Sequence, residues 1–161
     1  MAFTVRRRTA LPPEVAWSAL TDLAEHTRHV PLTDVEVPAA GLHLGAEVVA
    51  WTRLGPLRAA DRMLVTALEP GHRLRMVKTG RFLAGWAEIT VTADPREVGD
   101  PVGSRVEWTE ELWLPGLRRL TRPAGDRLGA VLFARVVDGV LSRARAAAGP
   151  SPVAPGERGA P

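Results

Sequence analysis

The chain has 161 residues, 45% of them hydrophobic and 24% charged, with a formal net charge of +3 and no cysteine. That length is one domain's worth, able to bury roughly two-thirds of its unfolded surface. Without cysteine there is no disulfide framework, thiolate metal site or thiol nucleophile, and a cytoplasmic setting is expected. The sequence pI of about 10.8 overstates the basic character. Lys78 is the only lysine and tyrosine is absent, so a small excess of arginine carries the balance point far up. With so modest a charge, no nucleic-acid partner is expected.

At the start, MAFTVRRR has no apolar stretch behind its charges and does not read as a secretory signal. No apolar run approaches eighteen residues, so no membrane span is expected. Ala2 to Arg8 alternates loosely, Phe3 and Val5 against Thr4 and Arg6, which predicts an edge strand with arginines discouraging further pairing. Leu11-Pro12-Pro13-Glu14 opens a helix with proline in the first turn and a glutamate against the dipole. Val15, Ala16, Ala19, Leu20 and Leu23 give that helix its apolar face. A second short helix is expected from Ala24 to Val30, stopped by Pro31.

The period then shortens. Thr33 to Val37, Ala46 to Leu54, Leu57 to Leu68, Arg73 to Thr79, Phe82 to Ala93 and Ser104 to Leu114 read as strands. Gly55-Pro56, Pro70-Gly71, Gly80 and the stretch from Asp94 to Gly103 mark the turns between them. Connections this short predict an antiparallel meander. A crossing segment carrying Arg118, Arg119 and Arg122 leads into a helix from Pro123 to Ala148, about seven turns long.

That helix sets Leu132, Phe133, Val136, Val137, Val140, Leu141 and Ala144 on one broad side. So wide an apolar arc calls for a sheet to cover it. Gly129 and Gly139 interrupt the helix at about 1 kcal/mol each against alanine. Gly129 falls on the apolar side, where a missing side chain admits a close backbone or a guest molecule. Residues 1–149 are therefore expected to form one domain, with 150–161 a disordered tail.

The expected class is α+β: a curved seven-stranded antiparallel sheet around a long C-terminal helix, with two short helices after the first strand. Five stretches, "ALPPEVAWSALTDLAEH", "LEPGHRLRM", "GWAEITVTADP", "GSRVEWTEEL" and "LGAVLFARVVDGVL", make the chain resemble the START/Bet v 1-like SRPBCC superfamily. It is most similar to polyketide cyclase/dehydrase-like members of this helix-grip fold. The resemblance implies a hydrophobic or amphipathic small molecule enclosed between sheet and helix, in a carrier or sensor. Relatives also include cyclase/aromatase enzymes and protein-interaction modules, and fold does not choose among these.

The expected cavity wall comprises Trp51, Arg53, Met76, Trp86, Trp108, Glu110, Gly129, Phe133, Val136, Val137 and Val140. The tryptophans fill a core or line a cavity, and a register slip of one residue would turn each to the other face. Glu110 shares a face with Val106, Trp108 and Leu112. A carboxylate there needs a partner, Arg53 being one candidate, or its pKa rises and it serves as a general acid or base. Glu88 is a weaker case of the same kind.

His26 and His29 lack a third and fourth ligand at recognisable spacing, so no metal is expected. His29 is the better candidate for a place at a cavity mouth. Ser18, Ser104, Ser142 and Ser151 lie outside any G-x-S-x-G elbow. No glycine-rich phosphate loop occurs, so no nucleotide cofactor is expected.

Overall fold

The computed structural model describes residues 2–30, 32–81, 83–95 and 102–149. The expected tail, 150–161, lies outside them, as does Phe82. Period-two alternation in the sequence becomes seven strands among the described residues: β1 (Phe3–Thr9), β2 (Thr33–Glu36), β3 (Glu47–Leu54), β4 (Leu57–Glu69), β5 (Arg73–Lys78), β6 (Ala84–Asp94) and β7 (Gly103–Trp113). They form one antiparallel sheet in the order β1-β7-β6-β5-β4-β3-β2. From β2 to β7 each strand pairs with the next as a meander, and β1 closes onto β7 with Val5 opposite Trp108. Helix α1 (Pro13–Thr21) follows β1, and the expected second helix is a single 3₁₀ turn, Glu25–Arg28.

Helix α2 spans Arg118–Ala148, five residues longer at its start than the sequence suggests. Pro123 lies within its second turn rather than opening it. Thr121 explains the earlier start. Its hydroxyl donates to the Leu117 carbonyl and accepts from the Leu114 amide, tying the first turn to the end of β7. The Arg119 of the expected crossing cluster is thus helical; the side chains of Arg118 and Arg122 lie outside the described residues.

Along β3 to β7 the concave face divides into a packed half and a hollow half. Val48, Val65, Leu74, Ile89, Val91 and Val106, all 0–1% exposed, meet Val136 and Val137 of α2 and Ala16 and Leu20 of α1. Each such fully buried side chain contributes about 1.5–3 kcal/mol. Toward the other end of the same strands, Ala50, Met63, Met76, Ala87 and Leu112 leave space beneath the first half of α2. A bulge between Val65 and Ala67 switches the inward parity of β4, so Met63 and Val65 face in before it and Leu68 after it.

Two helix glycines set how closely α2 approaches its neighbours. A Cβ on Gly129 would lie 2.5 Å from the Phe3 ring, and one on Gly139 the same distance from the His29 ring. The space expected at Gly129 for a backbone or guest is held instead by the Phe3 side chain. Arg7 on β1 clamps Asp138 on α2 through both Nε (2.6 Å) and Nη2 (2.9 Å), the paired geometry of guanidinium and carboxylate. Its hydrogen bond to Asp138 raises the Arg7 pKa, and the same bond lowers that of Asp138.

Candidate functional site

The hollow half encloses a cavity of about 270 Å³. Its ceiling is Gly125, Leu128, Gly129, Leu132 and Phe133 of α2, and Leu23, His26 and Val30 close one side. The floor is the concave face of β2 to β7. Leu128 is 73% exposed although it borders the space, which marks the opening. An aromatic row stands on one wall: Phe3 with Phe133 (centroids 6.0 Å apart), Phe133 with Trp108 (5.1 Å) and Trp108 with His26 (5.5 Å).

Three charged residues lie in this apolar wall. Lys78 Nζ sits 2.5 Å from Asp61 Oδ2 and 3.2 Å from Glu110 Oε1, with Met63 Sδ at 3.8 Å as its third neighbour. Trp108 Nε1 donates to Glu110 Oε2 at 3.2 Å. Strand pairing builds the cluster: Lys78 aligns with Met63 on β4, one alternation from Asp61, and Met76 aligns with Ala87, which aligns with Glu110. The Lys78 and Glu110 side chains are 4% and 1% exposed.

Burial works against the Lys78 ammonium, but attraction to Glu110 and Asp61 outweighs it and the pKa rises. Burial pushes the Glu110 carboxyl up, and this exceeds the lowering by Lys78 and Trp108. Two carboxyl groups facing one ammonium leave Glu110 as the group that holds a proton more readily than a solvated glutamate. Lys78, kept charged and with three neighbours, is not poised as a nucleophile.

His26 stands beside Trp108 at the end of the aromatic row. Burial, with His29 adding to it, lowers its pKa to about 4, so the ring is neutral at pH 7. Asp22 and the Leu20 backbone favour the protonated ring but do not offset this. Nε2 is buried without a partner, as is Asp61 Oδ1.

The structure brings Met76, Trp108, Glu110, Gly129 and Phe133 together on the cavity wall. It places several expected members elsewhere. Trp51 and Trp86 lie on the convex face, where Arg58 stacks over Trp51 at 4.1 Å and Arg75 over Trp86 at 4.7 Å. Their neighbours Ala50 and Ala87 face inward. Arg53 is also corrected: it is exposed and pairs with Asp34 at 3.0 Å, while Lys78 is the partner of Glu110. Val136 and Val137 belong to the packed half, and Val140 borders a separate surface groove with α1. Glu88 pairs on the convex face with Arg73 and Arg75. His29 packs on Gly139 beside that groove, so His26 is the histidine at the cavity.

Lys78 and Asp61 carry no expectation from the sequence, and His26, weighed there only as a metal ligand, borders the cavity instead. For Lys78 a signal existed: it continues the inward series Leu74, Met76, and it is the one lysine in a chain whose other bases are arginine.

The fold agrees with comparison to known proteins. A family model described as polyketide cyclase / dehydrase and lipid transport matches residues 1–149. The chain belongs to that family. It is a polyketide cyclase/dehydrase-like member of the SRPBCC superfamily. This family member is similar in fold to TTHA0849 from Thermus thermophilus, with a TM-score of 0.64 and 17% identity over 91% of this chain and 99% of that one. It is similar also to CV1439 from Chromobacterium violaceum, with a TM-score of 0.59 and 16% identity over 88% of this chain and 95% of that one. Likeness at such identity concerns the fold. No curated protein matches the chain. Among the described residues of this cyclase/dehydrase-like protein, no helix is long and apolar enough to cross a membrane.

Proposed function

We propose that the protein binds a hydrophobic or amphipathic small molecule in the cavity between sheet and helix, as a carrier or sensor. The observation that carries this reading is the hollow half itself, an apolar space of about 270 Å³ with a buried polar cluster in its wall. Sites for small molecules combine largely apolar walls with a few placed polar groups. Family membership supports ligand binding in general. A cyclase-like role would assign proton transfer to Glu110. Both Glu110 oxygens are already engaged, one by Lys78 and the other by Trp108, which favours anchoring over turnover.

Nile red, an uncharged dye, provides the test. Ala50→Leu places bulk on the concave face of β3, where leucine is tolerated in a strand. Its affinity for the dye is expected to fall at least about tenfold, a loss of about 1.4 kcal/mol, with the melting temperature retained. Equal affinity in Ala50→Leu and the parent protein would overturn the cavity reading.

A further inference from the structure

The polar groups of the cavity wall are unequal in what remains of them. Lys78 directs its ammonium at Asp61 Oδ2, Glu110 Oε1 and Met63 Sδ. Trp108 has given its indole N–H to Glu110. The Thr33 and Thr52 hydroxyls bond each other at 3.1 Å. Among the described lining residues, every N–H donor of a side chain with a nitrogen cation or indole is therefore committed. What is left over is a buried acceptor without a partner, Asp61 Oδ1, and a buried ring nitrogen without one, His26 Nε2.

Charge points the same way. Among the described lining residues the wall holds two carboxyl groups and one ammonium, and none is an arginine. An anion entering it would meet the Asp61 carboxyl with the one ammonium already committed to Asp61 and Glu110, in surroundings where water cannot screen the repulsion.

We infer that the cavity selects an uncharged apolar molecule bearing a hydroxyl or similar donor, which bonds Asp61 Oδ1 or His26 Nε2, and rejects carboxylate and phosphate amphiphiles. This rests on the cavity reading above and narrows it to a ligand class. An unpartnered buried acceptor costs free energy that a ligand hydroxyl removes, whereas an ether or ester of the same shape leaves it standing.

Three probes of nearly equal size separate the contributions: 2-naphthol, 2-methoxynaphthalene and 2-naphthoate, titrated calorimetrically into the full chain at pH 7.5. Naphthol is expected to bind at least about tenfold more tightly than its methyl ether, the worth of one good hydrogen bond, with naphthoate the weakest. Two variants then assign the acceptors. His26→Phe keeps a ring against Trp108 but removes the ring nitrogens, and Asp61→Asn keeps an oxygen while removing a charge. The naphthol advantage should shrink at least about threefold in one of them, and naphthoate should gain in Asp61→Asn. Naphthoate binding as tightly as naphthol, or an ether equal to the alcohol, overturns the inference and leaves the cavity reading standing. Failure of all three probes to bind overturns both.

Discussion

His26 gives the clearest residue-scale consequence. Its ordinary pKa of 6.5 falls to about 4 in the folded chain because burial disfavours the charged ring, with His29 opposing the charge and Asp22 favouring it. Between those values the unfolded chain binds a proton that the folded chain does not. Stability therefore falls as pH drops from 6.5 toward 4, by about 3 kcal/mol from this group. Glu110 acts in the opposite direction: its raised pKa means stability is gained as pH falls through the folded value toward 4.5. Urea unfolding at pH 7 and pH 4.5 should show a loss in the parent that is smaller by about 2 kcal/mol in His26→Gln, Glu110 cancelling in the comparison. An identical loss in both proteins would mean the ring is not neutral and buried. Residues of this sort were poorly legible beforehand. A histidine in a short polar-looking stretch, "LAEHTRHV", gives no sign of which ring turns inward, since a 3₁₀ turn places side chains differently from an α-helix.

At the scale of elements, helix α2 and strand β1 are matched by a hole and a ring. Alanine at position 129 would gain about 1 kcal/mol of helix propensity but drive a methyl to 2.5 Å from the Phe3 ring, and overpacking costs about 1–3 kcal/mol. Gly129→Ala should therefore destabilise the parent by about 1 kcal/mol and stabilise a Phe3→Leu background. A double-mutant cycle in urea reads the coupling directly; additive effects would show that α2 does not rest on Phe3. Strand β6 needs its own glycine for another reason. Gly85 has φ +142°, and a Cβ there would lie against the Glu111 carbonyl of β7, so the strands close up opposite Lys78. The elements themselves were legible because alternation and turn residues mark them. Which face of β3 and β6 looks inward was not, because the two faces differ by one residue of register. Large aromatic rings suggested the interior, and arginine stacking kept Trp51 and Trp86 outside.

For the whole molecule, one sheet and one helix support two different interiors. Where Leu20, Ile89, Val106 and Val136 meet, packing is complete and each is 0% exposed. Beneath Leu132, small side chains at Ala50 and Ala87 leave the layer unfilled. Truncations should divide accordingly. Leu20→Ala is expected to cost about 2–5 kcal/mol, as complete packing demands. Leu132→Ala, whose side chain already faces open space and loses fewer contacts, should cost no more than about 1 kcal/mol. Equal losses in thermal or urea unfolding would mean that the hollow half is packed like the other.

From the sequence alone followed the class, the order of elements, the antiparallel meander and the amphipathic closing helix, because these depend on periodicity and turn chemistry within a few residues of chain. Five of the expected wall residues, Met76, Trp108, Glu110, Gly129 and Phe133, also border the space. The partner of Glu110, the inward turn of His26 and the location of the hollow were decided only by the tertiary structure. Each depends on residues far apart in sequence: Asp61, Lys78 and Glu110 meet across strands β4, β5 and β7. A buried charge takes its partner from whatever the sheet's register brings opposite, and that register is a property of the assembled layers.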